Sequence, residues 1–166
     1  MISPAHAQTM ARYNGWQNRS IYTAAASLPD DARRRDRGAF FGSIHGTLSH
    51  LLWGDRQWMS RFAGTQPPRG SGKDSATAYD DWHELRQLRI EFDAVILDWT
   101  ATLDSDWLAA DFEWYSGIAK RQLSKPAWLL VAHFFNHQTH HRGQVHAMLT
   151  AAGATPQDTD LMLMPD

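Results

Sequence analysis

Apolar positions recur at three- and four-residue spacing in four separate stretches, and each stretch predicts a helix. Over residues 5–28 a loose stripe of Met10, Tyr13, Trp16, Ile21 and Ala24 runs up to Pro29, which cannot continue a helix. Over 40–62, Ile44, Leu48, Leu51, Leu52, Met59 and Phe62 gather on one side. Over 81–103, Leu85, Leu88, Phe92, Val95, Trp99 and Leu103 alternate three- and four-residue steps, the seam of a helix packed in a bundle. The last stretch spans 124–152. It has Ser124 as expected N-cap, Pro126 in the first turn where its missing N–H costs nothing, and Gly153 as the stop.

The segments between these stretches read as connections. Residues 32–38 form a short charged link. Residues 63–79 hold Gly64, Pro67, Pro68, Gly70, Ser71 and Gly72 and almost nothing apolar, which makes a loop, long for a compact domain and of the kind that forms lids or crossovers. Residues 104–124 are irregular: Trp107, Phe112, Trp114, Tyr115 and Ile118 follow neither period, and a turn or short hairpin folding its aromatics over one end of a bundle is expected. Residues 155–166 read as turn and coil, with Asp158 and Asp160 as caps or surface. The fold class expected is all-α, in a single domain over residues 1–166.

Composition narrows the chemistry. Among 166 residues there is no Cys, so disulfides, thiolate-bound zinc and cysteine nucleophiles are excluded, and histidine and carboxylate remain as metal ligands. A net charge of −2 provides no basic stripe for nucleic acid. No apolar run reaches membrane-spanning length, and residues 1–6 lack the apolar segment of a signal peptide, so a cytoplasmic protein is expected. Eight Trp imply an aromatic-rich core or pocket wall.

Four of the nine histidines fall at positions 133, 137, 140 and 141 of the last helix. At about 100° per residue, His137 and His141 share the core-facing line with Leu130, Phe134, Gln144 and Met148, whereas His140 is displaced and His146 points away. His50, on the flank of the second helix, has Gly46 and Gly54 one turn to either side. Glycine in a helix costs about 1 kcal/mol relative to alanine. Either another backbone approaches there or space is being kept above the His50 imidazole. Asp55 lies in the apolar stripe of the same helix and must meet an arginine or a helix end. Several imidazoles buried together leave donors and acceptors without water, and a bound metal satisfies them all. Three imidazoles leave a coordination position open to water or substrate. A zincin is unlike this pattern, because the glutamate of His-Glu-x-x-His is Gln138 here.

The run over residues 40–56, with His45-Gly46 and Ser49-His50-Leu51-Leu52-Trp53-Gly54-Asp55, resembles the DinB (damage-inducible protein) family. So do Asn136-His137-Gln138-Thr139-His140-His141-Arg142-Gly143-Gln144, the opening Tyr13-Asn14-Gly15-Trp16 and the closing Thr159-Asp160-Leu161. The resemblance implies a four-helix up-down-down-up bundle holding a divalent metal on His50, His137 and His141, with His45 and His133 as supporting or core residues. It implies zinc or nickel, with iron or manganese as alternatives, a homodimer, and a stress-linked context that is not itself evidence of DNA chemistry. Relatives of this kind include transferases and isomerases that use low-molecular-weight thiols. The expectation is therefore an enzyme in which the metal activates a thiol toward a small-molecule substrate, in a pocket walled by tryptophans. Hydrolysis by a water acidified on the metal, or metal binding without turnover, are the alternatives.

Overall fold

The computed structural model describes residues 1–117 and 119–165. Six α-helices and one two-stranded sheet occur among them: α1 (Pro4–Ala26), α2 (Asp30–Arg34), α3 (Ile44–Phe62), α4 (Trp82–Ala101), α5 (Ser105–Ala109), β1 (Asp111–Ser116), β2 (Arg121–Pro126) and α6 (Ala127–Ala151). The hairpin means that the chain is mostly helical and not all-α. The four long helices match the four stripes. α1 packs against α4 and α6, and α3 packs against the same two. Leu48, Leu52 and Met59 of α3, Leu85 and Ile96 of α4, and Val131, Phe134 and Leu149 of α6 are buried between them.

Local chemistry moved several boundaries. The second long helix begins at Ile44 and not Phe40. Gly42 adopts φ +73°, and the Ser43 hydroxyl accepts the Gly46 N–H at 3.0 Å, so the helix is capped four residues later. Residues 30–34, which span the expected end of the first helix and the start of the charged link, form a helical turn and a half, with Asp30 paired to Arg34 at 2.7 Å and to Arg33 at 3.2 Å. Ser124 does not cap the last helix. It pairs with Glu113 in the hairpin, and Pro126 takes the cap position. The expected turn or hairpin over 104–124 is present as α5 and the β1–β2 pair. Burial along β1 alternates strictly, and Phe112 and Trp114 turn inward to meet Phe62 and Trp58 at centroid distances of 5.5 and 6.0 Å. Ile118 lies outside the described residues.

One polar layer crosses the apolar core. Asp55 on α3, buried as the stripe implied, receives Arg89 Nη1 of α4 at 2.6 Å and Gln138 Nε2 of α6 at 3.0 Å. Arg89 also pairs with Asp93 at 2.8 Å, and Asp93 accepts from Asn14 and Asn18 of α1 at 3.1 and 2.8 Å. Asn14 in turn accepts from Arg142 Nη1 of α6, so the circuit begins and ends on α6, at Gln138 and Arg142, and is joined there by the helix backbone. Burial alone would lower the Arg89 guanidinium, but the Asp93 and Asp55 carboxylates hold it well above its ordinary value. The α4 seam, expected to do nothing but pack, thus carries the central cation.

Candidate metal centre

Three histidines from two helices converge where α3 meets α6. His50 Nε2 lies 3.1 Å from His137 Nε2, and one ring nitrogen from each of His50, His137 and His141 falls within 4.8 Å of the others. The i, i+4 spacing stacks the α6 pair one turn apart, with ring centroids at 4.6 Å. No other group of three or more His, Cys, Asp or Glu side chains with this geometry occurs among the described residues, and no carboxylate belongs to this one.

Hydrogen bonds determine which nitrogen each ring presents. The Ser75 hydroxyl donates to Gly72 O at 2.8 Å, so it can only accept from His50 Nδ1–H, at 2.9 Å. His50 Nε2 therefore carries the lone pair. His141 Nδ1–H is likewise held by Gln144 Oε1 at 2.8 Å, which leaves its Nε2 free as an acceptor. Burial first, and then the neighbouring imidazoles, push His50 down to about 4 and His137 to about 3, while burial also lowers His141. All three rings are neutral at pH 7, the state a metal ligand requires.

The fit to a metal can be judged on distances. Imidazoles bound at about 2.0–2.1 Å in a tetrahedral site place their nitrogens about 3.3–3.4 Å apart. The 3.1 Å approach of His50 to His137 is close to that edge, and it brings together two nitrogens of which only one can carry a proton facing the other. Space has also been kept. A Cβ on Gly54 would lie 2.9 Å from His137 Cε1, so alanine would occupy the ring's volume. A Cβ on Gly46 would lie 2.6 Å from the Phe41 carbonyl oxygen. The backbone-approach reading holds at Gly46, while the reading of space above His50 is corrected: the space at Gly54 is kept for the His137 ring.

The loop over 63–79 supports the site. Ser49 Oγ donates to Ser75 O at 2.8 Å and accepts Tyr79 N–H at 3.2 Å, and His45 Nε2 bonds Tyr79 O at 2.9 Å. These contacts pin the loop to α3 and bring Ser75 against His50. Ser75 is the contact of the candidate site that sequence reasoning missed, since a serine in a Gly- and Pro-rich loop has no periodic signal. His45 is a core residue, as expected. His133 is exposed and rests its ring edge against Trp58 at 5.4 Å. The expected tryptophan wall stands back from the triad, and the ring pressed on it is Phe41, stacked on His50 with centroids 3.7 Å apart.

A model of the DinB family matches residues 1–166. The chain belongs to the DinB family. Protein DinB of Bacillus subtilis (strain 168) is 27% identical over 163 residues, covering 89% of this chain and 87% of that one. The crystal structure of a DinB-like protein from Bacillus cereus ATCC 10987 superposes with a TM-score of 0.63 at 14% identity, over 86% of this chain and 90% of that one. At that identity the likeness establishes a DinB-like fold. No helix among the described residues of this DinB protein is long and apolar enough to cross a membrane.

Proposed function

We propose that this DinB protein holds one divalent ion, zinc or nickel before iron or manganese, on His50, His137 and His141, and catalyses transfer of a low-molecular-weight thiol to a small electrophilic substrate. The observation that carries this reading is the convergence of three neutral imidazoles whose partners leave Nε2 facing inward on His50 and His141. A divalent ion at that point lowers the pKa of a thiol or water held against it. The side chains do the rest. Ser75 and Gln144 hold two ligands in the binding tautomer, and Phe41 covers His50 and excludes water from one side. The cluster contains no carboxylate to act as general base, which favours a thiol, able to react once deprotonated, over hydrolysis. Around the site the four long helices form an up-down-down-up bundle, and the protein acts as a cytoplasmic homodimer.

Elemental analysis of untagged protein is expected to find about one divalent ion per chain, falling below a tenth of that in His137→Ala. Incubating the metal-loaded chain with glutathione, bacillithiol or mycothiol and an electrophile tests the reaction. Thiol consumption no faster than with His50→Ala excludes the transferase. Hydrolysis of ester or amide substrates would then be the reaction to pursue.

A further inference from the structure

On α6 the buried polar circuit and the triad draw on neighbouring residues. His137 precedes Gln138 and His141 precedes Arg142, so each ligand on α6 lies one residue, about 100° of rotation, from a member of the circuit. We propose that Gln138 and Arg142 are positioning residues for the metal centre: as the two α6 ends of a hydrogen-bonded and ion-paired network through all four long helices, they set the rotation of α6, and with it the direction of His137 and His141. This rests on the metal reading above.

The argument is one of tolerance. Apolar packing by Leu130, Phe134, Val145 and Leu149 presses α6 onto its neighbours, but burial is non-directional and permits small rotations. An imidazole nitrogen lies about 5–6 Å from the helix axis, so a 10° turn moves it about 1 Å. Metal–ligand distances tolerate only about 0.2 Å. The ring is directional where the apolar face is not. Gln138 Nε2 reaches Asp55 Oδ1 at 3.0 Å, a direct tie between the two helices that carry the ligands, and Arg142, one turn further along the same face of α6, binds Asn14 of α1. Turning α6 would strand a buried carboxylate or guanidinium, because Asp55 is 1% and Arg142 5% exposed. The ring contains two aspartates and two arginines, so its formal charges balance within it.

The test compares full-length Gln138→Met and Arg142→Lys with Leu85→Ala, a core variant on α4 that carries neither a ligand nor a ring contact. Zn²⁺ affinity is read by competition with a chromophoric chelator, ligand geometry by the visible spectrum of the Co²⁺-loaded chain, and stability by melting of the metal-free chain. Gln138→Met and Arg142→Lys are expected to weaken Zn²⁺ binding about 10–100-fold and to alter the Co²⁺ bands. Leu85→Ala, destabilised as much or more, keeps wild-type affinity and spectrum. The inference is overturned if Gln138→Met binds and absorbs like wild type, or if Leu85→Ala loses affinity to the same degree. Should Arg142→Lys not fold, Gln138→Met, which preserves side-chain volume, decides alone. Failure of the wild-type chain to bind either ion overturns the metal reading itself, a separate and recognisable outcome.

Discussion

The ring of Asn14, Asp55, Arg89, Asp93, Gln138 and Arg142 and the triad of His50, His137 and His141 both draw residues from α3 and α6, and both bury polar atoms. They differ in how those atoms are satisfied. In the ring the charges are paired or hydrogen-bonded: Arg89 and Gln138 supply both oxygens of Asp55, and Asn14 joins Asp93 to Arg142, while Arg89 Nε and Gln138 Oε1 have no hydrogen-bond partner. In the triad each outward nitrogen that has a partner donates to it, and the inward nitrogens are left facing one another. A buried cluster whose charges pair with one another is a structural tie. One in which two rings spend their N–H groups on outside partners and turn lone pairs toward a common centre has the donor set that a cation requires.

The sharpest way to break this contrast is stability. Arg89→Met strands two carboxylates, Asp55 and Asp93, without their cation, and is expected to cost about 3–5 kcal/mol in urea unfolding of the metal-free chain. His50→Ala strands nothing charged and should cost far less under the same conditions. Equal losses would mean that the triad is a structural cluster like the ring. A smaller effect separates support from fold at the triad. Ser75→Ala removes the acceptor that holds His50 Nδ1–H and should weaken Zn²⁺ binding about 10–100-fold while leaving metal-free melting unchanged. Unaltered affinity would remove Ser75 from the site.

The smallest effect is in pH. His50 and His137 titrate at about 4 and about 3 in the folded chain, below the ordinary histidine value of 6.5. Between those values the unfolded chain binds more protons, so metal-free stability should fall as the pH is lowered through 6.5 toward 4. Arginines of the ring do not titrate in that window. The urea midpoint of wild type should therefore drop more steeply from pH 6.5 to 5 than that of a His50→Ala/His137→Ala double variant. Parallel profiles would show that the triad imidazoles carry no such penalty.

Periodicity recovered the four long helices because each buries a stripe, and apolar residues at helical spacing record that burial directly. It misjudged α1, whose core face holds Asn14, Gln17 and Asn18, since buried polar residues look like surface ones in a sequence. The hairpin was only half legible. Phe112 and Trp114 alternate over too few residues for the period to emerge, and the pairing that makes them strands lies ten or so residues downstream. Asp55 betrayed itself as a carboxylate in an apolar stripe, but its partner, 34 residues away on another helix, did not.

By itself the sequence determined which imidazoles were available and on which face: His137 and His141 one turn apart on a helix, and His50 between glycines that only a close neighbour explains. Their i, i+4 spacing is a property of the backbone and needs nothing else. Only the tertiary structure decided that His50, 87 residues from His137, comes within 3.1 Å of it, that Ser75 and Gln144 select which nitrogen points inward, and that Phe41 lies over the ring. Those outcomes depend on the distance and rotation of α3 against α6. Side chains from four helices set these together, and no local stretch of sequence contains them.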